Sequence, residues 1–316
     1  TITLSDAGTI TGDTNVETYV LANGGGTTIT IGTTGQNVTT GNGADTIDVG
    51  DKTADGVFTT SATSIIKLSD GANITGVDAE GNGAGTAFTT NNLTLANNAS
   101  ATMTAAQNNS FTGATASGTT DQISISDADN VTGLAGVEDY VLADGSQTFT
   151  LGAEGQNVTT DGSGGGLITI DTGTLTAVSG TFADGGSDTI ALNVETTANI
   201  SSAVTTDVDT IDLVSSVDAT MTISQHNKLD TVAGGNTVTL SDAGTVTGNA
   251  DVDSYVLADV GEGVSGSTII IGDAGQNVTT GNGADIIDVG TSTTVNGTYT
   301  TTSTDTIKLS EGADIT

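Results

Sequence analysis

The sequence predicts an elongated all-β repeat protein, a β-solenoid of stacked short coils, and three observations carry that reading. In the stretch Thr28–Gly50, TITIGTTGQNVTTGNGADTIDVG, the apolar residues Ile29, Val38 and Ile47 fall nine apart, with mostly Gly, Thr, Asn, Gln, Asp and Ala between them. A short strand, a tight turn and another short strand at that interval describe the half-coils of a flattened solenoid. The module returns as STIIIGDAGQNVTTGNGADIIDVG at Ser267–Gly290, and in worn form around Phe149–Ile170. A longer repeat is nested over it. QNVTT begins at Gln36, Gln156 and Gln276, at intervals of 120, and MTAAQNN at Met103 answers MTISQHN at Met221, 118 residues on. The chain of 316 residues therefore divides into repeat copies at 1–100 (partial), 101–218 and 219–316 (partial), read as one continuous solenoid.

Composition supports strands and excludes several functions. Four lysines (Lys52, Lys67, Lys228, Lys308) and no arginine face 38 acidic residues, a formal charge of −34. Such a chain repels nucleic acid and anionic lipid, and its carboxylates repel one another unless a cation neutralises them. Without Trp, Pro or Cys, it has no disulfides or thiolate metal sites, and an ordinary aromatic-rich core is excluded. Ile, Val, Leu and Thr recurring in register favour strands over disorder. No run is long and apolar enough for a transmembrane helix. The chain starts at Thr1 in mid-pattern without a signal peptide, as expected of a mature fragment of something longer.

In chain order, TITLSDAGTITG (Thr1–Gly12) predicts two strands, centred on Ile2 and Ile10, around a turn at Asp6, with equivalents starting at Gln122 and Thr237. A tyrosine strand follows in each copy, at Val16–Ala22, Val137–Ala143 and Val252–Ala258; Tyr19, Tyr140 and Tyr255 are expected in the core or at coil edges. Glu17 and Glu138, beside them, are expected to face solvent. Asp51–Ser61 and its counterpart Thr291–Ser303 read as loops, as does the Gly-rich 76–86 segment. The pattern resumes at Ile65–Gly76 and Thr306–Thr316, and SDTIAL (Ser187–Leu192) and VDTIDL (Val208–Leu213) add strands introduced by Asp. No capped helix of period near four is read anywhere.

The turns carry the chemistry. TGNGADTI resembles the nonapeptide of the repeats-in-toxin calcium β-roll of bacterial surface, surface-layer and extracellular fibre proteins. Gly41, Gly43, Asp45 and Ile47 match its second and third glycines, its aspartate and its buried apolar residue, and Gly281, Gly283, Asp285 and Ile287 match likewise. Thr40 and Thr280 replace the first glycine, and clean nonapeptides do not run consecutively. The resemblance implies calcium as cofactor, stacked between coils, with Asn42 and Asn282 in the same turns. Glycines permit positive φ and expose carbonyl oxygens while the aspartate supplies charge, which suits an ion that takes about six to eight oxygens. Asp188 (with Gly185 and Gly186), Asp209 (with Asp207) and Asp305 are weaker members, and Asp161 marks a middle copy that lacks the aspartate before its strand. A second turn, Ser followed by Asp or Glu, places Asp6, Asp70, Asp127, Asp242 and Glu311 after strands, as metal ligands or as Asx caps of their own backbone.

Other signals are weaker. The pairs Thr28/Thr30, Thr148/Thr150, Thr237/Thr239 and Thr245/Thr247 resemble the hydroxyl rows of ice-binding solenoids, although outward Thr is also simply a good strand residue. Sequons at Asn37, Asn157 and Asn277 ride on the repeat, and His226, the sole histidine, stands where the other copy has Asn108. Repetition argues against a unique catalytic site, so no enzyme is expected. The expected function is a secreted or cell-surface structural protein, calcium-stabilised, of an extracellular fibre, surface layer or biofilm matrix, assembling with copies of itself end to end or laterally. The alternative is a stalk or an ice- or glycan-binding segment of a large calcium-dependent adhesin.

Overall fold

The computed structural model describes every residue except 80–81, 89–90, 163, 262–263, 291–293, 303, 310–313 and 316. It contains two compact units: Thr1–Ile168 with Ala183–Thr189, and Thr169–Phe182 with Ile190–Thr316. Each is a β-solenoid of parallel, in-register coils.

In the first unit the nine-residue interval becomes alternation between two sheets. Strands Ile2–Thr3, Thr18–Val20, Asn37–Thr39, Val57–Thr59 and Asp78–Ala79 form one; Thr9–Thr11, Thr28–Thr30, Thr46–Gly50, Ile65–Leu68, Asn92–Leu95 and Gly113–Thr115 form the other. Ile29 and Ile47 are direct partners on the second sheet, while Val38 pairs with Tyr19 and Phe58 on the first. All five are buried. The unit continues through Ser100–Met103, Gln122–Ile125, Asp139–Leu142 and Asn157–Thr160, with Val131–Thr132 and Gln147–Thr150 on the other side of the coil. Inward Ile, Val, Leu and Phe columns alternate with outward Thr, Asn and Asp, the period of two that a strand imposes.

The second unit repeats the arrangement. Ala198–Asn199, Ala219–Met221, Thr237–Leu240, Ser254–Val256, Asn277–Thr279 and Tyr299–Thr300 make one sheet, and Thr245–Thr247, Ser265–Ile270, Ala284–Asp288 and Thr306–Lys308 another. The Asp-introduced strands pair in register, Ala191 to Val194 against Thr210 to Leu213.

Three readings need correction. The Asp51–Ser61 segment contains the strand Val57–Thr59, and its Phe58 is fully buried; Tyr299–Thr300 is the corresponding strand in the second unit. The 76–86 segment holds the strand Asp78–Ala79, with Val77 and Ala79 buried. Among the described residues are two short helices, α1 (Ala105–Ser110) and α2 (Ile223–His226), each opened by a capping box: Thr104 with Gln107, and Thr222 with Gln225. The signal was the Thr-x-x-Gln spacing. A one-turn helix has too few residues to show a period.

Coil corners approach so closely that side chains are excluded. A Cβ at Gly152 would collide with the Gly133 carbonyl, and Gly32 and Gly272 meet the carbonyls of Gly12 and Gly248 in the same way. Gly152→Ala is expected to destabilise the first unit by about 1–3 kcal/mol, the range for overpacking, read as a lowered Tm in thermal unfolding.

Candidate functional site: acidic turns and coil-to-coil ties

Asp45 is fully buried at the head of its strand, and both carboxylate oxygens are engaged. Oδ1 accepts the Thr27 N–H of the preceding coil and Oδ2 the Gly41 N–H of its own turn, each at 2.7 Å. Gly41 and Gly43 lie against the Ala22 and Gly25 carbonyls, where a Cβ would collide. The Gly43 carbonyl accepts the Thr63 hydroxyl at 3.0 Å, and the exposed Asn42 gives its N–H to Asn23 Oδ1 at 3.2 Å. Asp121, absent from the sequence reading, repeats the arrangement: buried, it accepts the Ala99 N–H at 3.0 Å and the Gly118 N–H at 2.7 Å. Asp188 accepts the Gly166 N–H at 2.7 Å; its Oδ2 is buried and has no partner among the described residues. Asp161 is exposed, and its own N–H goes to the Leu142 carbonyl.

In the second unit, Asp285 Oδ1 accepts the Ser267 N–H of the preceding coil, while Oδ2 is buried with no partner in close hydrogen-bond geometry among the described residues. Gly281 and Gly283 lie in its turn, and Asn282 Nδ2 donates to Asp259 Oδ2 at 3.1 Å. Asp305 accepts the Asp285 N–H at 3.0 Å and the Thr280 hydroxyl at 2.6 Å. Burial raises the Asp285 carboxyl above its ordinary value; the charges of Asp305 and Asp259 add to the rise, and N–H groups of Ser267 and Gly281 oppose it. For Asp305 burial works upward, but hydrogen bonds from Thr280, Asp285 and Thr302 prevail and hold it low. Asp209 accepts the Ile190 N–H at 2.8 Å.

This geometry bears on how a calcium ion would be held. The ion takes carboxylate and carbonyl lone pairs, yet at Asp45 and Asp121 both oxygens face N–H donors. Among the described residues no three His, Asp or Glu side chains gather as a metal-holding group. In the TGNGAD turn of the first unit the carboxylate ties one coil to the next through both oxygens.

The Ser-Asp turns act similarly. Asp127 and Asp242 reach the preceding coil and accept the first N–H of α1 (Ala105) and of α2 (Ile223), both at 2.7 Å. Asp70 accepts the Ser100 N–H of a neighbouring coil at 3.0 Å, whereas the exposed Asp6 accepts the Ser5 hydroxyl. The first three bond another coil's backbone and not their own. Glu311 lies outside the described residues. Glu17 is exposed, but Glu138 is half-buried, with Oε2 enclosed and unpaired.

A set of buried glutamines escaped the sequence reading. Gln156 Nε2 donates to the Leu134 and Val137 carbonyls of the preceding coil, at 2.9 and 3.0 Å, and Oε1 accepts the N–H groups of Gly152 and Ala153. Gln36, Gln107, Gln225 and Gln276 also donate to paired carbonyls one coil back. The available signal was an amide recurring at a fixed place, Gly-x-x-x-Gln in each QNVTT copy. Lys228 makes a related tie, its ammonium on the carbonyls of Thr205, Thr206 and Val208.

The threonine pairs do not share one row. In the first unit Thr28/Thr30 and Thr148/Thr150 belong to different sheets, as do Thr237/Thr239 and Thr245/Thr247 in the second. The Thr30 column passes to Asp48 and Lys67, which form an ion pair at 2.7 Å. At the sequons, Asn37 Oδ1 accepts the Val57 N–H and Asn277 Oδ1 the Thr298 N–H, and Asn157 Nδ2 donates to Asp139. No helix among the described residues is long and apolar enough to cross a membrane. No family model, curated protein or solved structure matches this chain.

Proposed function

We propose that this chain is a structural segment of a secreted or cell-surface protein, serving in a fibre, surface layer or matrix and assembling with copies of itself. The observation that carries the reading is the recurrence of one device. Buried Gln and Asp side chains join neighbouring coils at recurring places within both units, and these side chains direct their polar atoms inward, to the backbone. A binding or catalytic protein concentrates its polar groups at one site that differs from the repeats around it. The formal charge of −34 keeps such a surface soluble and resists indiscriminate lateral association. The adhesin alternative gains no support from the threonines, which are divided among sheets.

The first test is thermal unfolding followed by circular dichroism after chelation, then with calcium or magnesium added, beside electron microscopy of the same samples. Ties made of N–H and carboxylate predict a fold that survives chelation, with calcium and magnesium giving the same small rise in Tm through screening. A coil-to-β transition driven by calcium and not by magnesium would replace these ties with an ion ladder. Particles that stay monomeric at every concentration and salt would remove the self-assembling role.

A further inference from the structure

The two units differ at one position of the repeat. In the first, the buried Tyr140 hydroxyl receives the Leu134 N–H at 2.7 Å and donates to Asn108 Oδ1 at 3.4 Å. In the second, the Tyr255 hydroxyl receives the Asn249 N–H at 2.7 Å and lies 2.9 Å from His226 Nε2. His226 is 4% exposed, and its buried Nδ1 has no hydrogen-bond partner among the described residues. The Asn249 N–H takes one lone pair of the phenol oxygen; in the tautomer with Nδ1 protonated, the phenol donates its own hydrogen to Nε2.

We propose that the His226–Tyr255 bond is a pH-sensitive tie confined to the second unit: protonating Nε2 sets an N–H against the phenolic donor and places a charge in a buried corner, loosening the coils at α2 and Ser254–Val256. Asn108 cannot titrate, so the first unit keeps its equivalent bond. Among the described residues no carboxylate pairs with the imidazole. Lys228, two residues on, is held by backbone carbonyls, and Asp242 on the next coil is engaged by the Ile223 N–H. Tyr255 is itself raised well above the phenol's ordinary value by burial and stays neutral. Burial likewise holds the imidazole below its ordinary value, with the Asn227 side chain opposing in part. A depressed imidazole means that the unfolded chain takes up the proton first. The stabilisation is therefore complete above the ordinary imidazole value of about 6.5 and is lost as pH falls through it towards the lower folded value.

The experiment compares the full chain with His226→Asn and Asn108→His in thermal unfolding from pH 7.5 to 5. Wild type should lose several degrees more than His226→Asn, and Asn108→His should lose more than wild type. As the sole histidine, His226 also gives one unambiguous nitrogen NMR signature, expected as the Nδ1–H tautomer at pH 7.5. Hydrogen exchange, corrected for intrinsic rates, supplies a readout that needs no variant: amides of 249–256 should open on acidification while those of 134–141 do not. Equal pH dependence in wild type and His226→Asn, an Nε2–H tautomer, or equal opening of both segments would each overturn the proposal.

Discussion

Asp45→Ala is expected to destabilise the first unit by about 2–6 kcal/mol, because it strands the buried N–H groups of Thr27 and Gly41, each costing about 1–3 kcal/mol when unpaired. Denaturant unfolding checks the figure, with the loss expected in the midpoint and not in the slope. Asp45→Asn should fall between wild type and Ala, since its one oxygen still accepts while its NH2 faces a second N–H. Were the carboxylate instead a calcium ligand, both variants would behave like chelated wild type and lose little more on chelation. The variant thus separates the two readings of one turn.

Gln156→Leu is expected to cost about 3–6 kcal/mol, although it keeps the volume and adds apolar surface. It orphans the Val137 carbonyl and the N–H groups of Gly152 and Ala153, and leaves the Leu134 carbonyl only the Val137 N–H, all at one coil corner. Gln156→Glu tests the same corner by polarity alone: it preserves the acceptor towards Gly152 but turns a carboxylate oxygen towards two carbonyls. It should destabilise at neutral pH and recover part of the loss in acid, where the protonated group can donate again. Denaturant unfolding at pH 7 and pH 4, each against wild type, measures both effects.

The strands were legible because their signal is local. Ile29, Val38 and Ile47 mark three half-coils by spacing alone, and Tyr19, Tyr140 and Tyr255 lie in the core as read. The ties were not legible, because a glutamine or aspartate beside glycines looks the same whether it faces solvent, a cation or the backbone one coil away. Only the stacking places Thr27 N–H against Asp45, 18 residues along the chain. The resemblance to a calcium turn rests on glycine and aspartate spacing, and both readings demand that spacing: close backbone approach requires the glycines, and a single acceptor requires the acid. Asp51–Ser61 reads as loop because its one apolar pair, Val57 and Phe58, among Thr, Ser, Asp and Gly carries no period.

The position occupied by Asp45 has a further consequence for how such a chain can change. At successive coils of the same sheet it is held by Thr27, Asp45, Ser64 and Asn91, each one residue before strands whose partners run Thr28, Thr46, Ile65 and Asn92. The site requires a small polar group, and four different residues satisfy it. The register also tolerates unequal path lengths: Ile29 to its partner Ile47 takes 18 residues, Ile66 to its partner Leu93 takes 27. The longer path is taken up between the paired strands while the pairing holds. Coils are therefore interchangeable cassettes, able to diverge in letters, accept grafted peptides at their corners and be duplicated or excised whole, provided that the inward polar atom and the two apolar columns are kept.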